Sequence, residues 1–155
     1  MTRAAGLPRY EVSNHARIGQ ESRHNLAYWR YADYAGVGPG AHGRRLGQAT
    51  ERHKKPENFI AAVARNGHGL KVEADLPAHE RATEAMLMGL RLTEGIDLAR
   101  TEARWGLPRE AFVDAAAVAR LAGQGLMRGA GDRLAVTDDG ILLLDSILSE
   151  VVKTH

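Results

Sequence analysis

The chain changes character at Pro56, and that break constrains the fold more than any single residue does. Up to about Lys55 it is rich in Gly, Arg, His and aromatics, with Tyr10, Tyr28, Tyr31, Tyr34 and Trp29 all in this part. Apolar runs there are short and helical stripes few. From Pro56 onward Ala and Leu dominate and apolar residues recur at helical spacing. Two or three strands with so little apolar surface do not fold alone. The first part therefore reads as the closing edge of a larger sheet or barrel, and the second as a helical domain.

Within the first part, Arg9–Ser13 alternates as a short strand does, and Tyr34–Gly38 reads as a second strand ending in glycines. Between them Asn25–Tyr31 fits a short helix. In the second part Pro56 suits a helix start, with Phe59, Ile60, Val63 and Ala64 as an apolar face ending at Asn66-Gly67. Ala82, Ala85, Met86, Gly89 and Leu90 predict a helix ending near Gly95. Asp97 caps a short helix through Trp105, and Gly106 stops it. Phe112, Ala115, Ala116, Ala119 and Ala122 form the next stripe, stopped at Gly123. Residues 125–128 and 133–136 flank a Gly-Ala-Gly-Asp turn as a β-hairpin. Thr137 then caps a last helix with a core face of Ile141, Leu144, Leu148 and Val151. Three helices, a hairpin and a closing helix is the order of a winged-helix domain, assigned to residues 78–152.

Composition removes several functions. At 155 residues, 44% hydrophobic and 26% charged, the chain has the make-up of a globular domain in water. It contains no cysteine, which excludes disulfides, thiol nucleophiles and cysteine-ligated iron–sulfur clusters on its own residues. That suits a cytoplasmic protein, and no window approaches the ~20 apolar residues of a membrane span. A net charge of +2, with both signs mixed along the chain, argues against nucleic acid as a partner. The helix expected over 109–121 likewise lacks Asn, Gln or Lys to read base edges.

The densest cluster of functional residue types is Arg23-His24-Asn25-Leu26-Ala27-Tyr28-Trp29. An imidazole at His24 can ligate a metal and Asn25 can orient it, while Tyr28 and Trp29 offer flat apolar faces one turn on. A porphyrin needs that pairing of one nitrogen for the iron and broad surfaces for the ring. The same residues also read as a His–Asn pair fixing a loop, with Tyr and Trp as core. Gly38, Gly40 and Gly43 spell G-x-G-x-x-G, but the Arg44-Arg45-Leu46-Gly47 that follows is a poor helix start, Glu51 is too close and the next acid lies inside a separate helix. A strand end approaching a ligand or another backbone is the better reading of these glycines. Arg44, Arg45, Arg52, Lys54 and Lys55 form a basic run that reads as a solvated loop. No serine triad, zincin helix or P-loop is present.

Taken in order, three motifs become specific: Tyr10-Glu11-Val12-Ser13-Asn14-His15-Ala16, the His24 segment, and Tyr34-Ala35-Gly36-Val37-Gly38-Pro39-Gly40-Ala41-His42-Gly43. With Met88–Ile96 they make the chain resemble the C-terminal portion of HemW-type heme chaperones, the oxygen-independent coproporphyrinogen III oxidase-like branch of radical SAM proteins. The resemblance implies an α+β fold: the last strands of a partial TIM-type barrel over 1–55, a connecting helix and linker over 56–77, and a winged-helix-like domain over 78–152. It implies heme bound by His24, Asn25, Tyr28 and Trp29, with His24 on the iron, and delivery of that heme to apo-proteins, membrane-associated ones included. It puts Gly38, Gly40 and His42 at the edge of an S-adenosylmethionine site. S-adenosylmethionine and a [4Fe–4S] cluster are expected of the parent protein, whose three cluster cysteines lie in an N-terminal half that this chain does not contain. His15 departs from the aromatic residue common at its position. Part of a coproporphyrinogen oxidase, or a winged-helix module that docks a protein, are the other functions such a chain can serve.

Overall fold

A computed structural model describes residues 2–154. The described residues form six α-helices and two three-stranded antiparallel sheets, with no closed barrel among them. They divide into two compact units, one of Met1–Tyr31 with Ala78–His155 and the other of Ala32–Pro77.

The larger unit begins with α1 (Arg23–Trp29) and continues through α3 (Ala78–Gly89), β4 (Ile96–Asp97), α4 (Leu98–Trp105), α5 (Ala115–Gly123), β5 (Met127–Ala130), β6 (Arg133–Val136) and α6 (Leu144–Val151). Its sheet has the order β4-β6-β5, with Ile96 opposite Leu134 and Met127 opposite Val136. Caps fix the helix starts: Asp97 accepts from the Arg100 N–H at 2.9 Å and Asp114 from the Ala117 N–H at 2.8 Å. The core gathers Met86, Leu90, Phe112, Leu121, Ile147, Leu148 and Val151, all buried. Most of the expected stripes face this core, with two differences. The helix through Met86 ends at Gly89 instead of near Gly95, since the Arg91 and Leu92 N–H groups tighten onto the Met88 and Gly89 carbonyls, three residues back. The expected stripe through Ala115, Ala116, Ala119 and Ala122 is exposed. Asp114 starts a new helix there, so Phe112 and Val113 enter the core from a preceding 3₁₀ turn at Arg109–Ala111, and Ala117 and Leu121 supply the buried face. Alanine on every side of α5 hides the true period.

The smaller unit holds β1 (His42–Arg45), β2 (Gln48–Arg52), α2 (Pro56–Asn66) and β3 (Leu70–Asp75), in the sheet order β1-β2-β3. The basic run expected to be a loop is mostly sheet, with Arg44 buried at 5% exposure. A two-residue turn joins Arg45 to Gln48 with Leu46 and Gly47 both at positive φ (51° and 79°). Hairpins favour that geometry, but leucine rarely signals it. The expected strand Tyr34–Gly38 reduces to one bridge, Tyr34 with Arg44, and Arg9–Ser13 to bridges of Arg9 with His15 and Glu11 with Leu92. On α2 three of the four residues of the expected face, Ile60, Val63 and Ala64, are exposed while Ala62 is buried. Among the described residues no helix is long and apolar enough to cross a membrane.

Truncating Phe112, fully buried beside α5, is expected to cost about 3–5 kcal/mol in urea unfolding. Ala119→Ser, on the exposed face, should stay within about 0.5 kcal/mol. Equal losses would restore the alanine stripe as the core face.

Candidate functional site

At seven residues α1 is too short to persist by itself, so its two ends decide where its side chains point. At the start, Ser22 Oγ accepts from the Asn25 N–H at 3.3 Å. At the end, Arg30 donates back to the Leu26 carbonyl and the chain turns through Tyr31 at φ 56°. A tyrosine in that left-handed region is strained by roughly 1–3 kcal/mol and persists only where its surroundings over-determine it. Here they do. Tyr31 is 2% exposed, its hydroxyl donates to Glu84 on α3 at 2.6 Å, and Arg104 on α4 donates to its carbonyl at 3.0 Å. Its ring meets Trp105 edge-on, 5.6 Å between centroids.

So held, α1 presents His24 and Tyr28 on one face and Asn25 and Trp29 on the next, as the four-residue spacing requires. Tyr28 and Trp29 pack edge to face, with centroids 4.9 Å apart and planes at 69°. The Arg91 guanidinium sits 5.7 Å from the Trp29 ring centre and donates to the Leu87 carbonyl. Asn25 donates its side-chain amide to the Tyr10 hydroxyl at 3.3 Å, which ties α1 to the segment before it. That segment is anchored in turn: the Thr93 N–H donates to the Tyr10 carbonyl at 3.0 Å.

All four residues singled out in the sequence line one recess of about 270 Å³, together with Glu11, Ser13 and Asn14. Glu11 is fully buried. Its carboxylate accepts from the Ser13 N–H at 3.2 Å and from the Asn14 amide, closing a tight turn that forms the recess wall. Sequence alternation over Arg9–Ser13 disguised this turn as strand, although Ser-Asn after an acid is a turn signal in its own right. His24 is exposed at the mouth, while Asn25, Tyr28 and Trp29 are half-buried. The recess is smaller than the roughly 300–1,000 Å³ of sites that engulf a drug-sized ligand. It can grip the face or edge of a flat ring but cannot enclose one.

In the smaller unit, Gly38 and Gly40 take positive φ (91° and 71°) in a turn closed by Ala41 donating to the Gly38 carbonyl and Gly40 donating to the His53 carbonyl. His42 opens β1 and is exposed. Close backbone approach belongs instead to Gly43, where a Cβ would lie 2.7 Å from Thr50 Oγ1 and 2.8 Å from the Gly36 nitrogen.

The chain next to α1 is electrostatically pinned. Arg30 forks onto Glu94 with contacts of 2.7 and 2.9 Å, and these hydrogen bonds hold the Glu94 carboxyl below the usual glutamate range. Both partners are about half exposed, so the pair is screened by water.

Residues 76–143 match the HemN C-terminal domain family. Radical S-adenosyl methionine domain-containing protein 1, mitochondrial, of Mus musculus is 36% identical over 160 residues, covering 94% of this chain and 35% of that protein. Heme chaperone HemW of Mycobacterium tuberculosis (strain ATCC 25618 / H37Rv) is 38% identical over 147 residues, 94% of this chain and 35% of that protein. Heme chaperone HemW of Bacillus subtilis is 32% identical, covering 90% and 37%. The solved coproporphyrinogen III oxidase (HemN) from Escherichia coli, described as a radical SAM enzyme, superposes with a TM-score of 0.69 at 19% identity, over 96% of this chain and 37% of that one. That likeness shows the fold. The chain belongs to the family of HemW-type and oxygen-independent coproporphyrinogen III oxidase-like radical SAM proteins, and corresponds to its C-terminal portion. It spans just over a third of the length of the curated relatives it matches.

The depressed Glu94 carboxyl fixes a pH dependence. Its stabilising contribution is complete above the ordinary glutamate pKa of about 4.3 and is lost as pH falls through the lower folded value. Wild type and Glu94→Gln should differ in urea midpoint at pH 7 and converge toward pH 3. A gap that persists undiminished at pH 3 would assign the stabilisation to something other than the charge.

Proposed function

We propose that this chain is the heme-binding C-terminal portion of a HemW-type protein, which carries heme for delivery to apo-proteins. The observation that supports the reading is the recess on α1, where an exposed imidazole, an amide and two edge-packed aromatics converge although they are read from a short sequence motif. Among the described residues no cluster of three or more metal-ligating side chains exists. One histidine in the recess lining suits an iron that brings the other ligands with it, as heme does. In this reading His24 is an axial ligand, Asn25 holds the helix that carries it, and Tyr28 and Trp29 give the ring an apolar wall. An open, shallow seat is what a carrier needs, since cargo that must leave cannot be engulfed.

The family context supplies the rest of the proposal. S-adenosylmethionine and the [4Fe–4S] cluster belong to the longer architecture of the relatives, and with no cysteine this chain offers the cluster no thiolate. Gly38, Gly40 and His42 would form the outer edge of the S-adenosylmethionine site, where the open turn leaves room beside Gly38. Residues 1–55 would complete the barrel, 56–77 connect, and 78–152 act as a winged-helix-like packing module. The α3–β4–α4–α5–β5–β6 order, with β4 beside β6, supports that last assignment. On α5 the exposed alanines offer nothing to base edges, and Arg120 is paired with Glu150, which argues against nucleic acid as a partner. We place the protein in the cytoplasm. Coproporphyrinogen oxidation rests on fold likeness alone and is the weaker reading.

Titration of the chain with ferric heme should give a saturable Soret shift. His24→Ala should remove the axial-ligand signature and weaken binding by about tenfold or more, while Tyr28→Ala should weaken it with the ligand signature kept. Identical spectra and affinity in wild type and His24→Ala would refute the ligand assignment.

A further inference from the structure

On the other side of Trp29 lies a second cavity, about 110 Å³, that also belongs to the larger unit. Its walls carry four arginines (Arg30, Arg100, Arg104 and Arg133) against two carboxylates, Glu94 and Asp97. Both carboxylates are already engaged. Glu94 is forked by Arg30, and Asp97 accepts from the Arg100 N–H as a helix cap and faces Arg133 at 3.5 Å. Arg104 is held in place, its guanidinium 4.9 Å from the Trp105 ring centre and hydrogen-bonded to the Tyr31 carbonyl. Arg100 differs. Among the described residues no hydrogen bond or ion pair holds its exposed guanidinium, and it occupies the first turn of α4, where the helix dipole disfavours a cation. Two positive charges are left over in a small cleft, one of them on an arginine placed against local preference.

A volume of about 110 Å³ suits a carboxylate or two with attendant water, a water taking about 30 Å³, and is too small for a ring system. Guanidinium forks are the natural partners of carboxylates. Trp29 lines both this cleft and the His24 recess. Arg30, the cap of α1, stands six positions after His24, about 9 Å of helical rise, which is the scale from the centre of a porphyrin to its acid groups. We propose that the arginine cleft beside Trp29 is a carboxylate subsite that takes the propionates of a heme whose iron is at His24. This rests on the heme reading of the recess and extends it. The aromatic wall carries the ring, the imidazole meets the iron, and Arg100 and its neighbours fix which edge of the ring enters.

The test compares ferric heme with heme dimethyl ester, whose acid groups are capped, on wild type, Arg100→Gln and His24→Ala. The expected result is about tenfold weaker heme binding in Arg100→Gln, in line with loss of a charge-assisted hydrogen bond. The ester should bind wild type and Arg100→Gln alike, and more weakly than heme binds wild type. Losing this exposed guanidinium, which no described residue holds, leaves the fold intact, which circular dichroism checks. If Arg100→Gln binds both compounds as wild type does while His24→Ala loses them, the subsite is overturned and the heme seat stands. If wild type binds neither compound, both readings fall together.

Discussion

Tyr31 is the constraint on which the rest of the site depends. One residue after α1 and its cap, it turns the chain through the left-handed region and spends its hydroxyl, carbonyl and ring on Glu84, Arg104 and Trp105. Backbone in that conformation is costly for a bulky side chain, so the contacts must outweigh the strain. The consequence is that a seven-residue helix, otherwise marginal, leaves the core of the larger unit in one direction. Tyr28 and Trp29 follow from it at fixed azimuth, and His24 is carried to the rim.

A second brace works from the opposite side. Asn25 reaches Tyr10, and the Tyr10 segment is stitched to Thr93 and Leu92 beyond α3. Glu11 folds its own turn around a buried carboxylate and completes the recess. The site thus belongs to no single element. It sits where the turn of residues 11–14 meets the short helix, which keeps the Glu11 carboxylate hydrogen-bonded at the wall and leaves His24 exposed. Under the proposed function, a braced wall with an open mouth suits temporary tenancy of a flat, apolar ligand.

Much of this was legible in the amino-acid order, because the governing signals are local. Pro56 and Gly67 bracket α2, Asp97 and Gly106 bracket α4, and the hairpin of β5 and β6 follows from its turn. The four residues of the recess are spaced along one helix, so their convergence needs only a helical period. What escaped either carries no distinctive local signal or depends on non-local partners. The β1–β2 turn uses Leu46 at a φ that leucine seldom adopts, and the strands beside it are too polar to show alternation. In α5, alanine on all faces erased the stripe, and the cap at Asp114 was read as helix interior. The arginine cleft draws on α1, the α3–β4 connection, α4 and β6, and no spacing rule gathers those residues in advance.

We propose that heme iron binds at the mouth of the α1 recess. Paramagnetic broadening tests it directly: amide spectra of the chain with ferric heme are compared with spectra of the chain with the diamagnetic zinc porphyrin. Signal loss should centre on residues 23–29 and on the 11–14 turn, with α5 and α6 spared. Broadening centred on another part of the chain, or spread evenly over it, would rule out this placement of the iron.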